Sequence, residues 1–474
     1  MKHVVIIGGG ISGLAAAHRL LEKTRESTAT IKLTLLESSN RLGGIVQTAE
    51  RDGFLLERGP DSFISEKPAA LNLTKRLGLQ SRLIETNSQH RRSFVVNRGR
   101  LLPVPEGFHL LAPARFWPFL KSGIFSPTGK ARMALELLVP RGAANGADES
   151  LANFVRRRFG REALERMAQP MVGGIYTADP EKLSLRATMP RFLEMEREHG
   201  SLIRALRKQN SEAADRETSG ARYSLFLSFD RGMQVLTDEL AKQVANAKVS
   251  LRLNTAVTSV AREPGDSGGA WRLITTGGET LFADALCLAL PAYTSAQLLA
   301  NVDAKLAAAL SAISYASSAT INLAYRREDI PHPLDGFGFV VPFIAGRSLV
   351  ACSFSSVKFA GRAPDKHVLL RAFLGGALQP EALDRSDGEL LAAVRNDLRD
   401  LLGVNKEPLF AEIARWKGSM PQYDLGHLER VKEIEERLTS LPGLALAGNA
   451  FTGLGISDCI RTGEAAAEKL AVAP

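Results

Sequence analysis

Gly8-Gly9-Gly10-Ile11-Ser12-Gly13 has a spacing with a defined chemical use. Glycine at position 8 permits a tight turn, at 10 a close approach of backbone to a pyrophosphate, and at 13 tight packing of a helix on a sheet. A helix opening here presents unpaired N–H groups and a partial positive charge to phosphates. Glu37 follows at roughly the twenty-residue spacing at which a carboxylate can accept both ribose hydroxyls. The chemistry implied is dinucleotide binding, with NAD and FAD both open. No Ser-His-acid set or paired carboxylate accompanies it. Cys287, Cys352 and Cys459 form a scattered, odd set, which argues against a disulfide framework, a zinc site or an iron–sulfur cluster and fits a reducing compartment.

The elements that must position these residues read directly from the pattern. His3–Ile7 is a β-branched apolar run that enters the glycines, Leu14–Leu21 forms a helix, and Ile31–Leu36 is a second strand ending on Glu37. A hydrophobic run over Val4–Ala17 would suit a targeting segment, but its glycines fit the strand–turn–helix reading. Further pieces of the same unit are expected well downstream. Gly232 opens a helix to about Val244, Val249–Asn254 is a strand, and Ala256–Ala261 alternates. Trp271–Thr275 and Thr280–Phe282 form a hairpin, and Ala285–Leu290 is a buried strand stopped by Pro291. Near the end, the strand Leu444–Ala447 leads into a glycine loop, Gly448–Gly455, and then a helix from about Ser457, with Ser457 as its N-cap. Such a helix would direct its N-terminal dipole at a bound ring. Residues 68–215 read as mostly helical, with Gly173–Ser184 a loop whose glycines let backbone approach a ligand closely and Ser211–Gly220 a polar loop, and 296–430 as an α+β unit.

At 474 residues the chain is long enough for two or three domains, and its 45% hydrophobic and 23% charged content is ordinary for a globular protein. The net charge of +9 suits an anionic partner or simply a solvated basic face. From His90 to Gly142, arginines and lysines alternate with Phe108, Phe116, Trp117, Phe119, Leu120 and Phe125 between prolines. Two readings stand for this stretch: a membrane-interface surface, or a helical subdomain whose apolar side is core. No nucleic-acid-binding module is recognisable.

Several segments together carry a family resemblance: GGGISGL, ESSNRLGG, ERGPDSF, NRGRLLPVP, GGIYTADPEKLS, RGMQVL, Met-Pro-Gln-Tyr (420–423) and GNAFTGLGISDCIRTGEAA. From end to end the chain resembles the protoporphyrinogen oxidases of the flavin-dependent amine oxidase superfamily. The resemblance implies a Rossmann-like FAD-binding domain built from 1–67, 216–295 and 431–474. It adds a substrate-binding domain over 296–430 and a helical membrane-associating subdomain over 68–215. It also implies non-covalent FAD touching Gly8, Gly9, Gly10, Ile11, Ser12, Gly13, Glu37, Ser38, Arg41, Gly44 and Ile45. Further contacts fall on Gly59, Pro60, Asp61, Ser62, Val257, Trp416, Gly448, Leu454, Gly455 and Ile456.

For the substrate, Arg92 would pair with a propionate, Phe359 would stack on a pyrrole, Gly174 would face the macrocycle, and Val340 would form an aliphatic wall. Arg91 or Arg98 could replace Arg92, and core packing competes as the role of Phe359 and of Trp416. The implied activity is six-electron oxidation of protoporphyrinogen IX to protoporphyrin IX, with oxygen or a quinone as acceptor. It would be cytoplasmic, peripheral on the cytoplasmic face of the membrane, and compatible with a homodimer. Coproporphyrinogen III, a carotenoid or an amine are alternative substrates. Six tyrosines and three tryptophans are few for the aromatic cage of an amine oxidase. A non-catalytic binding protein on this scaffold is the rival from another class.

Overall fold

A computed structural model describes residues 1–26, 31–142, 147–214, 225–247, 249–263 and 271–472. Its nucleotide-binding part is a five-stranded parallel sheet in the order Ser250–Arg252, Ile31–Leu36, Lys2–Ile7, Ala285–Leu288, Leu444–Leu446. The central strand needs apolar residues on both faces, and Val4, Val5 and Ile6 are fully buried. Three widely separated stretches of chain therefore build one sheet, as their strand patterns imply. The hairpin Trp271–Thr275/Thr280–Ala283 forms where expected.

The second large sheet has seven strands in the order Phe410–Pro421, Tyr315–Arg326, His367–Gly375, Ala351–Phe354, Gly338–Val340, Phe94–Asn97, Arg100–Pro103. Its last two strands come from the region read as helical. Phe94–Asn97 pairs in parallel with Gly338–Val340, Val95 opposite Val340. Nothing local in the sequence signals a partner so far along the chain.

Helices begin in earnest at Phe116 and continue through Leu202–Ala214 around a separate core. Residues 211–214 of the expected polar loop end that last helix, while 215–220 lie outside the described residues. The basic–apolar stretch divides between its two readings. Leu111, Phe119, Ile124 and Phe125 are core, whereas Phe116, Trp117 and Leu120 are exposed. Among the described residues, no helix is long and apolar enough to cross a membrane.

Candidate active site

The first strand hands over to the glycine turn through a bond from Gly8 N–H to the Leu36 carbonyl (2.8 Å), and Gly43 N–H donates to the Gly9 carbonyl (2.8 Å). A β-carbon at Gly8 would overlap the Ala289 carbonyl, and one at Gly13 the Gly8 carbonyl. Protein packing alone explains those two glycines. Gly10 differs: a β-carbon there would have only Gly44 Cα within reach, at 3.9 Å. Its open side is the cradle a pyrophosphate requires, so the residues present fit the dinucleotide. Ile11 and Ser12 open the helix Ile11–Glu26 beside it.

Glu37 is already engaged by backbone. Its Oε2 accepts from Gly9 N–H at 2.7 Å and its Oε1 from Ser39 N–H at 2.8 Å, while Ser38 is exposed. Oε1 also accepts from Ser38 Oγ at 3.4 Å, whereas Oε2 keeps a second lone pair with capacity for a ribose hydroxyl. Arg41 staples its own turn instead of reaching outward: Nη1 donates to the Gly44 carbonyl (2.6 Å) and Nη2 to that of Val46 (2.9 Å). Ile45 remains 42% exposed. Val257 stands close to the ribose end, because Thr255 N–H donates to the Glu37 carbonyl at 2.8 Å.

The Gly59–Ser62 turn is fastened to the seven-stranded sheet through its preceding carbonyls. Asn322 donates to the Glu57 carbonyl (3.1 Å), Thr320 and the Trp416 indole both to that of Arg58 (2.9 Å each), and Arg371 to that of Gly59. Trp416 thus acts as a latch on the chain entering Gly59–Ser62. Thr320, Asn322 and Arg371 escaped the sequence reading, although a lone polar residue in a buried apolar strand was their signal. Pro60 leads into Asp61, which pairs with Lys358 at 2.8 Å, and Ser62 Oγ donates to Asp61 at 2.7 Å.

Burial alone would raise the Asp61 carboxyl, but the charges of Lys358 and Arg371 hold it well below the usual carboxylate range. A depressed folded-state pKa stabilises the fold above the unfolded value and loses that contribution as pH falls through the folded one. Asp61→Asn is therefore expected to lower the melting temperature near neutrality, the gap from wild type narrowing below about pH 4. Thermal unfolding across that range checks it, and a gap that does not change with pH would contradict the assignment.

The loop Gly448–Gly455 returns between the two sheets. Leu454 is half-buried, Gly455 exposed and Ile456 buried as the first residue of the helix Ile456–Val472. Ser457 is not the N-cap expected of it. It lies inside the first turn, with Oγ donating to the Lys67 carbonyl at 3.1 Å, because the helix starts one residue earlier. Asp458 in the same turn would weaken the positive end of the dipole, but Lys67 neutralises it at 2.6 Å.

Gly173 and Gly174 are not in a loop. They occupy the last turn of the helix Gln169–Tyr176, which ends at Thr177 in the left-handed region and follows a π-turn over Leu164–Ala168. A β-carbon on Gly174 would stand 3.7 Å from Val340 Cγ1. Gln422 Nε2 donates to the Tyr176 carbonyl at 3.4 Å and the adjacent Tyr423 hydroxyl to the Asn449 carbonyl at 2.7 Å, so the helix end that carries Gly174 lies near the glycine loop. Arg92 sits outside that group. It precedes the strand Phe94–Asn97 and is paired with Asp335 at 2.6 Å, while Arg91 and Arg98 are exposed. Phe359 also stands apart, its ring only 1% exposed between Lys358 and Arg362.

A parallel nucleotide-binding sheet, a cradle at Gly10 and a returning glycine loop ending on a helix N-terminus define a dinucleotide-binding protein, and the family match makes it a flavin-dependent oxidoreductase that binds FAD. The chain belongs to the flavin containing amine oxidoreductases, whose family model matches residues 11–471. It is 36% identical to a coproporphyrinogen III oxidase of Bacillus subtilis, over 98% of this chain and 97% of that one. It is 31% identical to the chloroplastic protoporphyrinogen oxidase 1 of Arabidopsis thaliana, over 96% of this chain and 85% of that one. A crystal structure assigned as a protoporphyrinogen oxidase, from Exiguobacterium sp. 255-15, superimposes with a TM-score of 0.87 at 31% identity, covering 99% of both chains.

Proposed function

We propose that this protein oxidises a porphyrinogen to the porphyrin by six electrons, using non-covalently bound FAD. The observation that carries the reading is the end of the helix Gln169–Tyr176, where a β-carbon on Gly174 would stand 3.7 Å from Val340 Cγ1 and Gln422 Nε2 donates to the Tyr176 carbonyl at 3.4 Å. Bound FAD supplies the chemistry by accepting a hydride from an activated carbon of the macrocycle. The protein's task is then to hold a large apolar ring in register and exclude water. Gly174 lets a flat ring approach the helix end, while Val340 and Leu454 exclude solvent. Three such rounds, with tautomerisation between them, convert one porphyrinogen and three O2 into one porphyrin and three H2O2. A quinone could take the electrons in place of oxygen. Cys459 is buried and its thiol is pushed up to about 12 by burial, which supports a non-covalent flavin.

The family resemblance favours protoporphyrinogen IX as the substrate. Coproporphyrinogen III is a second reading, favoured by the 36% identity to relatives that carry that name. Arg92, freed from Asp335, would pair with a propionate bidentately. Parallel assays of porphyrin fluorescence growth with each substrate separate the two. Oxidation of neither above the non-enzymatic rate would refute the function.

Peripheral attachment to the cytoplasmic face of a membrane rests on the helix Phe116–Lys121. Phe116 and Trp117 (70% exposed) project beside Arg115 and Lys121. Replacing both aromatics by glutamate is expected to reduce sedimentation with anionic liposomes at least tenfold. Undiminished binding by the folded variant would exclude this surface.

A further inference from the structure

The segment from Met420 to Leu425 touches both the glycine loop and the end of the helix that carries Gly174, where Gln422 Nε2 donates to the Tyr176 carbonyl at 3.4 Å. On one side, Ser184 N–H donates to the Tyr423 carbonyl at 2.8 Å and Leu425 N–H to the Lys182 carbonyl at 2.9 Å. On the other side, the Tyr423 side chain spans the glycine loop. Its hydroxyl donates to the Asn449 carbonyl and accepts from Gly453 N–H, each at 2.7 Å. One hydroxyl therefore uses its donor and an acceptor on opposite limbs of the same loop.

His427 completes the arrangement. Its ring stacks on Tyr423 with centroids 3.9 Å apart and planes at 13°, and its Nε2 donates to the Phe451 carbonyl at 2.9 Å. Both residues are buried, with Tyr423 2% and His427 0% exposed. Burial lowers the imidazole pKa, so the ring is neutral with its proton on Nε2. If packing were the whole of its role, a phenylalanine ring would serve at 423. The two hydroxyl bonds give the position a geometric task.

We propose that Tyr423 is a positioning residue for the flavin: its hydroxyl sets the separation of Asn449 from Gly453, and with it the aim of the helix that starts at Ile456. Through its backbone the same residue holds Ser184, and its neighbour Gln422 ties that setting to Tyr176 at the end of the helix that carries Gly174. The proposal rests on the reading above only in assigning these two segments to flavin and porphyrinogen.

Tyr423→Phe keeps the stack and removes both hydrogen bonds. The variant is expected to melt within a few degrees of wild type. Its FAD dissociation constant should rise about tenfold. Preference for the reduced over the oxidised cofactor should also fall about tenfold, moving the midpoint potential about 30 mV more negative. Difluorotyrosine at 423 keeps the shape while making the hydroxyl a better donor and poorer acceptor. It should shift the potential without unfolding, and it decides the matter if the phenylalanine variant does not fold. Wild-type affinity and potential in the substituted proteins would overturn the proposal. Such a result with an active wild-type enzyme leaves the function intact, whereas wild type inactive on porphyrinogens overturns the function and not the potential measurement.

Discussion

Gly13→Ala is expected to abolish FAD retention and to destabilise the N-terminal domain by more than about 3 kcal/mol. The new β-carbon would stand 1.9 Å from the carbonyl oxygen of Gly8, which is backbone tied to Leu36 of the sheet, and it would be carried on the backbone of the first helix. A flexible side chain could swing aside, but this backbone cannot. Gly10→Ala provides the contrast, since its β-carbon meets nothing closer than 3.9 Å. That variant should fold with a near-wild-type melting temperature as apoprotein and still bind FAD at least tenfold more weakly, because the methyl occupies the pyrophosphate cradle. Apoprotein thermal unfolding and flavin titration separate the two effects. If both variants lose stability equally, Gly10 is a packing glycine and the cradle lies elsewhere.

Arg158→Met is expected to cost about 3–5 kcal/mol in the helical region. Arg158 and Glu136 are both fully buried and form an ion pair. Arg158 also donates to the carbonyls of Val139 (3.1 Å) and Gly200 (2.8 Å) and to Glu196 at 3.2 Å. Glu136 additionally accepts from Ser201 Oγ (2.5 Å) and Leu202 N–H (2.9 Å). Losing the guanidinium strands a carboxylate in a region that cannot solvate it. For a chain of 474 residues the melting transition should fall by about 3–5 °C. Adding Glu136→Met should recover much of the loss, since two apolar groups can fill the space of a buried ion pair. Flavin should remain bound at low temperature, because the pair lies in the core that carries Val172 and not in the nucleotide-binding sheet. A single variant as stable as wild type would show that the buried pair contributes nothing net.

The two experiments probe parts of the molecule that differ in how far the sequence revealed them. The first strand, the glycine turn and the strand Ile31–Leu36 were legible because each rests on neighbours along the chain: period, β-branching and glycine spacing. The separated pieces at Ala285–Leu288 and Leu444–Leu446 were legible for the same reason, as short apolar runs bounded by turn residues. Gly174 was found, but its setting was misread. Two glycines suggested a loop, and tertiary packing held them in a helix whose break comes later, at Thr177.

The sequence by itself determined that this chain binds a dinucleotide, because that chemistry is encoded in local spacing, and its end-to-end resemblance to a flavoprotein family made that dinucleotide FAD. Only the tertiary structure decided which side chains share the site. It joined Phe94–Asn97 to the seven-stranded sheet, turned Trp416 into a latch on Arg58 and set the Tyr423 hydroxyl across the loop at Asn449 and Gly453. It also paired Arg92 with Asp335 and enclosed Phe359 between two cations. Each of these depends on contacts between distant residues, where burial and hydrogen-bond satisfaction outweigh anything a local pattern records.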